Sequence, residues 1–297
     1  MIFSQKHKDR FMSHFFLVVA TASIAVLFMI TLFLFMEGIP IFQKISPKDF
    51  LFGEYWYPTA EPPDFGIFPL IFGSLAVTFL SALISIPLGV LTAIYLAEIA
   101  AYRFREIVKP MVELLASLPS VVIGFFGMVV VAPFLQETFD VASGLNIFNA
   151  ALMLAFMSVP TICSISEDAI YSVPVSLKEA SLALGATSLD TIIRVTIPAS
   201  ISGISTAIIL GMSRAIGETM VVLMVAGGAA MVPGSVFDPA RPLPSSIAAE
   251  MGEAPYRGDH YYALFAIGIV LFVFTFSFNL IADYISNKYR QVGEATL

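Results

Sequence analysis

The sequence has few charged residues and almost no cysteine or histidine. Only 12% of its 297 residues are charged and 58% are hydrophobic, whereas a soluble domain has about 25% and about 45–50%. The single cysteine, Cys163, excludes a disulfide framework or a thiolate metal site, and we expect it to pack as a small apolar side chain. The formal charge of −7 comes without any long basic cluster, so nothing favours nucleic-acid binding. This composition indicates a membrane protein.

The common motifs of hydrolytic enzymes are also missing from the sequence. It contains no G-x-x-x-x-G-K-[ST] motif, so this chain is not expected to hydrolyse ATP with a P-loop of its own. It contains neither HExxH nor GxSxG, and His7, His14 and His260 are far apart. We expect His260 to be an interfacial residue rather than a ligand. The prediction is a protein that is not an enzyme and binds no metal or cofactor itself.

Six apolar segments are long enough to cross a bilayer, which takes about 20 residues. They lie at about residues 11–36, 67–96, 110–133, 147–164, 199–228 and 261–285. The first is too long for the apolar region of a signal peptide and has no convincing cleavage site, so we expect an uncleaved span. Pro119 and Gly124 should kink or interrupt the third. The predicted fold class is an all-α membrane protein with six transmembrane helices.

Three parts of the chain follow from these spans. Residues 1–66 should form an N-terminal transmembrane helix followed by an extracytoplasmic segment. This segment, residues 37–66, is rich in proline, which predicts a loop. Residues 67–287 should form a core of five helices, with a short loop at 134–146 and a cytoplasmic loop at about 165–198. Residues 288–297 should form a cytoplasmic tail.

Basic residues are distributed unevenly between the two sides of the predicted bundle. With six spans both termini share a side, and that side carries Lys6, Lys8, Arg10, Arg103, Arg105, Lys109, Lys178, Arg194, Lys288 and Arg290. The other side carries only Lys44, Lys48, Arg241 and Arg257. Because basic residues favour the cytoplasmic side, we expect both termini and the loop at 165–198 to be cytoplasmic.

A polar segment between the fourth and fifth spans, residues 176–198, has the pattern of two short helices joined at a glycine. We call it the elbow. Ser176 and Glu179 have the spacing of a capping box, and Gly185 suits the left-handed backbone at the end of a helix. Thr187 or Ser188 can cap a second helix that Pro198 should close. Just before the elbow, Glu167 and Asp168 should form a solvated helix end.

The elbow resembles the cytoplasmic EAA loop of permeases from ATP-binding-cassette (ABC) importers. The family pattern is Glu-Ala-Ala-x3-Gly-x9-Ile-x-Leu-Pro, and it matches here at Glu179, Ala180, Gly185 and Pro198, with Ser181 in place of the second alanine. Val195 and Ile197 are conservative departures from the same pattern. The resemblance implies that Glu179, Ala180, Ser181 and Gly185 belong to a coupling helix that docks on a separate ATPase subunit.

The fifth span contains two charged residues near its middle, Arg214 and Glu218. A lone arginine at the centre of a membrane helix costs about 2.5–3.5 kcal/mol on insertion scales. Residues four apart on one helix share a face, so the two can pair and should point into the bundle or a wet cavity. One interpretation is an internal ion pair. The other is that Arg214 is a transient counter-ion for an anion, since its planar fork of donors suits an oxyanion. Gly203, Ala207 and Gly211 in the same span indicate close helix packing.

From about Phe68 onward the chain resembles phosphate-importer permeases of the PstC type. The segments that carry this likeness are KPMVELLASLPSVVIGFFG, RAIGETMVVLMVAG and SSIAAEMGEA, of which the second is the most specific. The resemblance implies a type I ABC importer permease fold in the inner membrane, with Arg214, Glu218 and Thr219 on the substrate path. It also implies three partners: a PstA-type permease subunit, a cytosolic ATPase dimer that binds ATP, and an extracytoplasmic phosphate-binding protein.

Other functions remain open from the sequence. The nearest alternative is a permease of the same class for molybdate or sulfate. A more distant one is a secondary transporter that works without an ATPase, against which the elbow argues. The complex could also report phosphate supply to a signalling kinase.

Overall fold

The structure, a computed structural model, describes the backbone of residues 5–289 and the side chains of residues 10–284. Within that part, the regular elements are helices and one two-stranded antiparallel ribbon, in which β1 (Trp56–Tyr57) pairs with β2 (Asp64–Phe65). Turns and loops connect them. The helices are α1 (Gln5–Gly38), α2 (Pro47–Phe52), α3 (Phe68–Ile94), α4 (Tyr102–Ala116), α5 (Ser120–Phe126), α6 (Ala132–Phe139), α7 (Ile147–Tyr171), α8 (Val175–Ala183), α9 (Ser188–Thr191), α10 (Ile197–Ile216), α11 (Met220–Val225), α12 (Leu243–Glu250) and α13 (Asp259–Tyr289). A 3-10 turn, Ile39–Gln43, follows α1.

Six helical stretches of the described chain are long and apolar enough to cross a membrane. They are Arg10–Gln43, Phe68–Ile99, Ser120–Phe139, Ile147–Tyr171, Ser188–Ile216 and Asp259–Tyr284. Three of them contain a π-helical turn, at Tyr95–Ile99, Gly127–Val131 and Ile192–Thr196. The six-helix fold class predicted from the sequence is therefore confirmed.

The fourth span, α7, is the centre of the bundle. Of its most apolar stretch 67% is buried, against 33% or less in each of the other five spans. Small residues bring its neighbours close: a Cβ on Gly89 of α3 or Gly211 of α10 would lie within 2.8 Å of Ile162. A Cβ on Gly203 of α10 would likewise lie 2.4 Å from the Cβ of Ala169. The close packing predicted from the small residues of the fifth span is confirmed.

The predicted boundaries of the third and fourth spans are wrong. The third span begins at Ser120, because the chain breaks at residues 117–119 ahead of it and the preceding α4 is a separate amphipathic helix. The break itself matches the interruption predicted at Pro119. The same span continues to Phe139, into the predicted loop, and the fourth continues to Tyr171. The sixth span, Asp259–Tyr284, agrees with its predicted position, and residues 290–297 of the predicted tail lie outside the described residues.

The segment at 37–66, predicted to be a loop, is instead a packed unit at the end of the bundle opposite the elbow. Its side chains Phe50, Trp56 and Phe65 are buried against Leu243 and Leu264 of α12 and α13. Ser46 caps α2 by accepting a hydrogen bond from the backbone N–H of Asp49. The proline content hid this order, because prolines also occupy the first turns of short helices.

A carboxylate, Glu250, joins three parts of the chain within this packed unit. Its oxygens accept hydrogen bonds from Nε1 of Trp56, at 3.1 and 3.0 Å, and form an ion pair with Arg241. Nε2 of His260 lies 2.8 Å from Glu250 Oε2. His260, predicted to be interfacial, is buried at the first turn of α13, where this contact holds it against α12. The unit formed by residues 39–67, α12 and the first turns of α13 is called the cap below.

Candidate functional site

The elbow forms two helices joined at Gly185, as predicted. Gly185 has a φ of +86°, in the left-handed region that glycine adopts without penalty. Thr187 caps the following helix α9, since its Oγ1 accepts a hydrogen bond of 3.1 Å from the backbone N–H of Asp190. The chain therefore turns sharply between α8 and α9.

Both predicted ends of the elbow are wrong. No capping box forms at Ser176, because α8 begins one residue earlier, after Pro174, and Ser176 is already inside the helix. Pro198 does not close the second helix. The π-helical turn Ile192–Thr196 precedes it, and Pro198 then lies in the first turn of α10, where its missing N–H is not needed. The elbow therefore continues directly into the fifth span.

The elbow residues singled out from the sequence fall into two groups. Glu179, Ala180 and Gly185 are exposed on the outer surface of the elbow. Ser181 is half-buried, and its hydroxyl lies 2.9 Å from that of Thr191, so it contacts the chain itself. No residue of α8 is buried, and Leu184 is 90% exposed. An apolar residue this exposed at the tip of a bend is available for contact with another molecule.

A cluster of charged residues fixes the base of the elbow. Glu167 is 1% exposed and lies 2.6 Å from Arg105 and 2.7 Å from Lys109 of α4. Lys109 also contacts Asp168, at 2.7 Å. Burial by itself lowers the pKa of Lys109. The hydrogen bonds and charges of Asp168 and Glu167 raise this pKa by more than burial lowers it, so the pKa of Lys109 lies above its ordinary value. The predicted solvated end at Glu167 is wrong, because α4 folds back over α7.

Sequence reasoning missed a second ion pair at the elbow. Nζ of Lys178 on α8 lies 2.5 Å from Oε1 of Glu98, in the π-helical turn after α3. Both side chains are largely enclosed, 22% and 12% exposed. No local signal links these residues, because they are 80 positions apart.

The fifth span is broken where the sequence indicated one continuous helix. Helix α10 ends at Ile216, residues 217–219 are not helical, and α11 begins at Met220. Gly217 lies at the break, where glycine lowers the stability of a helix. Thr219 donates a hydrogen bond of 3.3 Å to the carbonyl of Gly217 across the break. The position is close to the middle of the stretch between residues 197 and 228.

The break separates Arg214 from Glu218, and the predicted ion pair is wrong. Among the described side chains no ion pair of Arg214 is found within 4 Å, and Glu218 Oε1 instead accepts a hydrogen bond of 3.4 Å from the backbone N–H of Val221. The two residues would need an unbroken helix to face each other. Arg214 is exposed on the outside of this single chain, next to Leu210 and Gly217. The expectation that Arg214 points into the bundle is therefore wrong for this single chain, because its side chain lies on the exposed face of α10.

The comparisons with known sequences agree with this architecture. The family model for "Binding-protein-dependent transport system inner membrane component" matches residues 85–291. A relative from Bacillus subtilis, named "Probable ABC transporter permease protein YqgH", is 42% identical over 274 residues, which is 92% of this chain and 87% of the relative. A "Phosphate transport system permease protein PstC" from Mesorhizobium japonicum is 38% identical over 255 residues, 79% of this chain and 77% of the relative.

Two solved structures are similar in fold. A bacterial alginate ABC transporter, in complex with an alginate pentasaccharide-bound periplasmic protein, superimposes with a TM-score of 0.67 at 18% identity, covering 95% of this chain and 96% of that one. The MetNI methionine ABC transporter, in an inward-facing conformation, gives a TM-score of 0.61 at 19% identity, covering 76% and 96%. This chain has the fold of type I ABC importer permeases and belongs to the family of inner-membrane components of binding-protein-dependent transport systems.

Proposed function

We propose that this chain is a permease subunit of an ATP-driven inorganic phosphate importer. The observation that carries the proposal is the placement of Arg214, an exposed guanidinium beside a break in the middle of the fifth span. Relatives named as phosphate permeases of the PstC type, 30–38% identical over most of this chain, support the choice of phosphate.

The exposure of Arg214 favours a path that a second subunit completes. A charge that faces lipid at this depth costs about 2.5–3.5 kcal/mol, and the described chain offers it no counter-ion. The cost is avoided if this face of α10 meets another permease subunit across an aqueous path. An oxyanion that enters the path then finds a planar fork of donors that never loses its charge.

Glu218 and Thr219 have a structural part in this proposal. Glu218 is held by the backbone N–H of Val221 and Thr219 bonds across the break, so both stabilise the non-helical turn beside Arg214. A carboxylate at this distance along the chain also weakens the attraction for an anion, which favours release. The arginine binds and the acid limits how long the anion stays.

The elbow is the proposed contact with the ATPase. Glu179, Ala180 and Gly185 lie on its exposed side together with Leu184, whereas Ser181 supports it from within. ATP is bound by the partner and not by this chain. Closure of the ATPase dimer would move the elbow and, through the continuous helix from α9 to α10, the region of Arg214.

The proposed assembly has a fixed orientation and three kinds of partner. Both termini and the elbow are cytoplasmic, since the elbow side carries most of the basic residues. The cap then faces outward, toward an extracytoplasmic phosphate-binding protein. A PstA-type subunit completes the path, and an ATPase dimer binds the two elbows.

The experiment is uptake of radiolabelled phosphate by the complex purified through a tag on this chain and reconstituted with its binding protein. We expect ATP-dependent uptake that Arg214→Ala abolishes and Arg214→Lys partly retains. The matched control is Arg103→Ala, an exposed arginine of α4. Normal uptake in Arg214→Ala would refute the anion role.

Three further measurements on the same preparation separate the alternatives. If unlabelled molybdate or sulfate inhibits the uptake of radiolabelled phosphate more strongly than unlabelled phosphate does, the substrate is a different oxyanion. Uptake driven by an ion gradient without ATP would indicate a secondary transporter. Mass identification of the co-purified subunits would distinguish a second copy of this chain from a PstA-type partner.

A further inference from the structure

Helix α8 is held to the rest of the chain by polar contacts and not by apolar burial. None of its residues is buried, and its apolar side chains Val175, Leu177 and Leu182 are all at least 46% exposed. Its inward side carries Lys178 and Ser181, three residues apart and therefore on one face. Ser181 contacts Thr191, at the start of the helical stretch that continues into the fifth span. The contact of Lys178 adds a junction to a different span, at the end of α3.

Among the described ion pairs, that of Lys178 with Glu98 is the one that joins α8 to another part of the bundle. The Nζ–Oε1 distance is 2.5 Å and both side chains are mostly enclosed. Exposed pairs are screened by water and contribute little, whereas removing one partner of an enclosed pair leaves a charge without compensation. The contrasting pair in the elbow, Asp190 with Arg194, is 3.8 Å apart and highly exposed.

Glu98 lies next to a buried apolar cluster at this end of the bundle. On the same stretch, Ala93 and Leu96 are buried in a cluster with Cys163 and Ile170 of α7 and Ile204 of α10. Three spanning segments meet there. A force applied to the Glu98 carboxylate is therefore transmitted to the ends of α3, α7 and α10 together.

At its N-terminal end, α8 is attached through the short connection from α7. Val173 is buried and Pro174 restricts the chain, while the contacts of Arg105 and Lys109 with Glu167 fix the end of α7 just before it. With one end fixed by this connection and the middle held by Lys178, α8 cannot turn independently of the spans. If the Lys178 contact is lost, α8 keeps its connections to α7 and α9 but is no longer held against the end of α3.

We propose that Lys178 is a positioning residue for coupling: its ion pair with Glu98 makes the elbow move as one body with α3 as well as with α10, so that motion of the ATPase moves these spans together. Its function is distinct from docking, because Lys178 faces inward whereas Glu179 and Leu184 face outward. The inference rests on the proposed function of the elbow but not on the identity of the anion. Loss of the pair is expected to leave ATPase bound and hydrolysing ATP while transport per ATP falls.

The test reverses the charges of this pair in the complete complex with its ATPase and binding protein. Variants are Lys178→Glu, Lys178→Met, Lys178→Arg and the double reversal Glu98→Lys with Lys178→Glu. The control is Arg103→Glu, which makes the same charge change at an exposed position of α4 on the same side. The measurements are ATPase retained on the tagged chain, ATP hydrolysis, and uptake of radiolabelled inorganic phosphate per ATP hydrolysed.

We expect Lys178→Glu and Lys178→Met to retain ATPase and lower the uptake-to-hydrolysis ratio about tenfold, the effect of a coupling change of one decade in an equilibrium. Lys178→Arg and the double reversal should restore the ratio to within about twofold of the original, and Arg103→Glu should leave it unchanged. Should Lys178→Glu fail to assemble, Lys178→Met, which removes the charge without reversing it, tests the same expectation.

Two outcomes would overturn the inference. One is an unchanged ratio in Lys178→Met, and the other is an assembled double reversal that stays uncoupled, since Lys178 would then act through a different contact. Failure of the proposed substrate has another signature: the original complex takes up no phosphate. In that case the measured quantity becomes the stimulation of ATP hydrolysis by the binding protein, in place of the uptake-to-hydrolysis ratio. We expect Lys178→Met to lose this stimulation and the double reversal to recover it, which tests Lys178 without reference to phosphate.

Discussion

At the cap the chain covers its own apolar side chains, whereas at the elbow it leaves them exposed. Phe50 and Trp56 of the cap are at most 2% exposed, while Leu184 and Leu189 of the elbow are 90% and 63% exposed. A carboxylate with three partners also joins the parts of the cap, whereas α8 contacts the spans through one ion pair and one hydroxyl contact. Apolar surface left uncovered at a helix end indicates a contact with another molecule. The cap should therefore respond to mutation mainly through stability and the elbow mainly through assembly.

The largest expected effect is that of Glu250→Ala in the cap. It leaves Arg241 partly buried without its partner and removes the acceptor of Trp56 and His260, so we expect the complex to be destabilised by about 3–5 kcal/mol. Thermal unfolding of the detergent-purified complex measures it. Glu253→Ala, an exposed neighbour, is the control. Equal shifts for the two variants would contradict the description of Glu250 as the centre of the cap.

A smaller loss is expected for Trp56→Phe. The phenyl ring keeps much of the packing, but the hydrogen bonds from Nε1 to the Glu250 carboxylate disappear, which should cost about 1.5–3 kcal/mol. The same unfolding measurement applies, with Tyr57→Phe at an exposed position as the control. A loss no greater than that of the control would mean that packing alone holds the indole.

At the elbow, Gly185→Val should act through the backbone. Nothing lies within 4 Å of an added Cβ, so the cost is the left-handed conformation itself, about 1–2 kcal/mol. Hydrogen exchange should rise in residues 175–191 and stay unchanged in the cap. Gly185→Asn should show less of the effect, because asparagine adopts this conformation more readily. Identical exchange in Asn and Val variants would indicate a steric cause outside this chain.

The smallest stability effect is expected for Leu184→Ser. This side chain is 90% exposed, so the thermal stability of the isolated chain should change by no more than about 0.5 kcal/mol. Less ATPase should be retained on the tagged chain, because the apolar tip is the proposed contact. Tyr256→Ser, an exposed aromatic at the cap end, should leave retention unchanged. Full retention in Leu184→Ser would place the contact elsewhere.

Local patterns in the sequence predicted the features that depend on near neighbours. The apolar lengths predicted six spans, and Gly185 and Thr187 predicted the turn of the elbow, because each depends on a few adjacent residues. The contacts of Glu98 with Lys178 and of Glu167 with Arg105 could not be predicted, since chain folding alone brings these distant residues together. The break at Gly217 was missed because a glycine within an apolar run is compatible with a continuous helix.

The exposed guanidinium of Arg214 also bears on how the protein must be made. On the proposed function, a newly synthesised copy without its partner subunit carries an unpaired cation near the middle of the bilayer, where such a group disfavours insertion by about 2.5–3.5 kcal/mol. Copies without a partner are then expected to insert poorly into the bilayer and to be degraded by proteases. On the proposed function, the subunits must then be produced in balance, and the residue that is proposed to bind the anion also disfavours insertion of a copy without its partner.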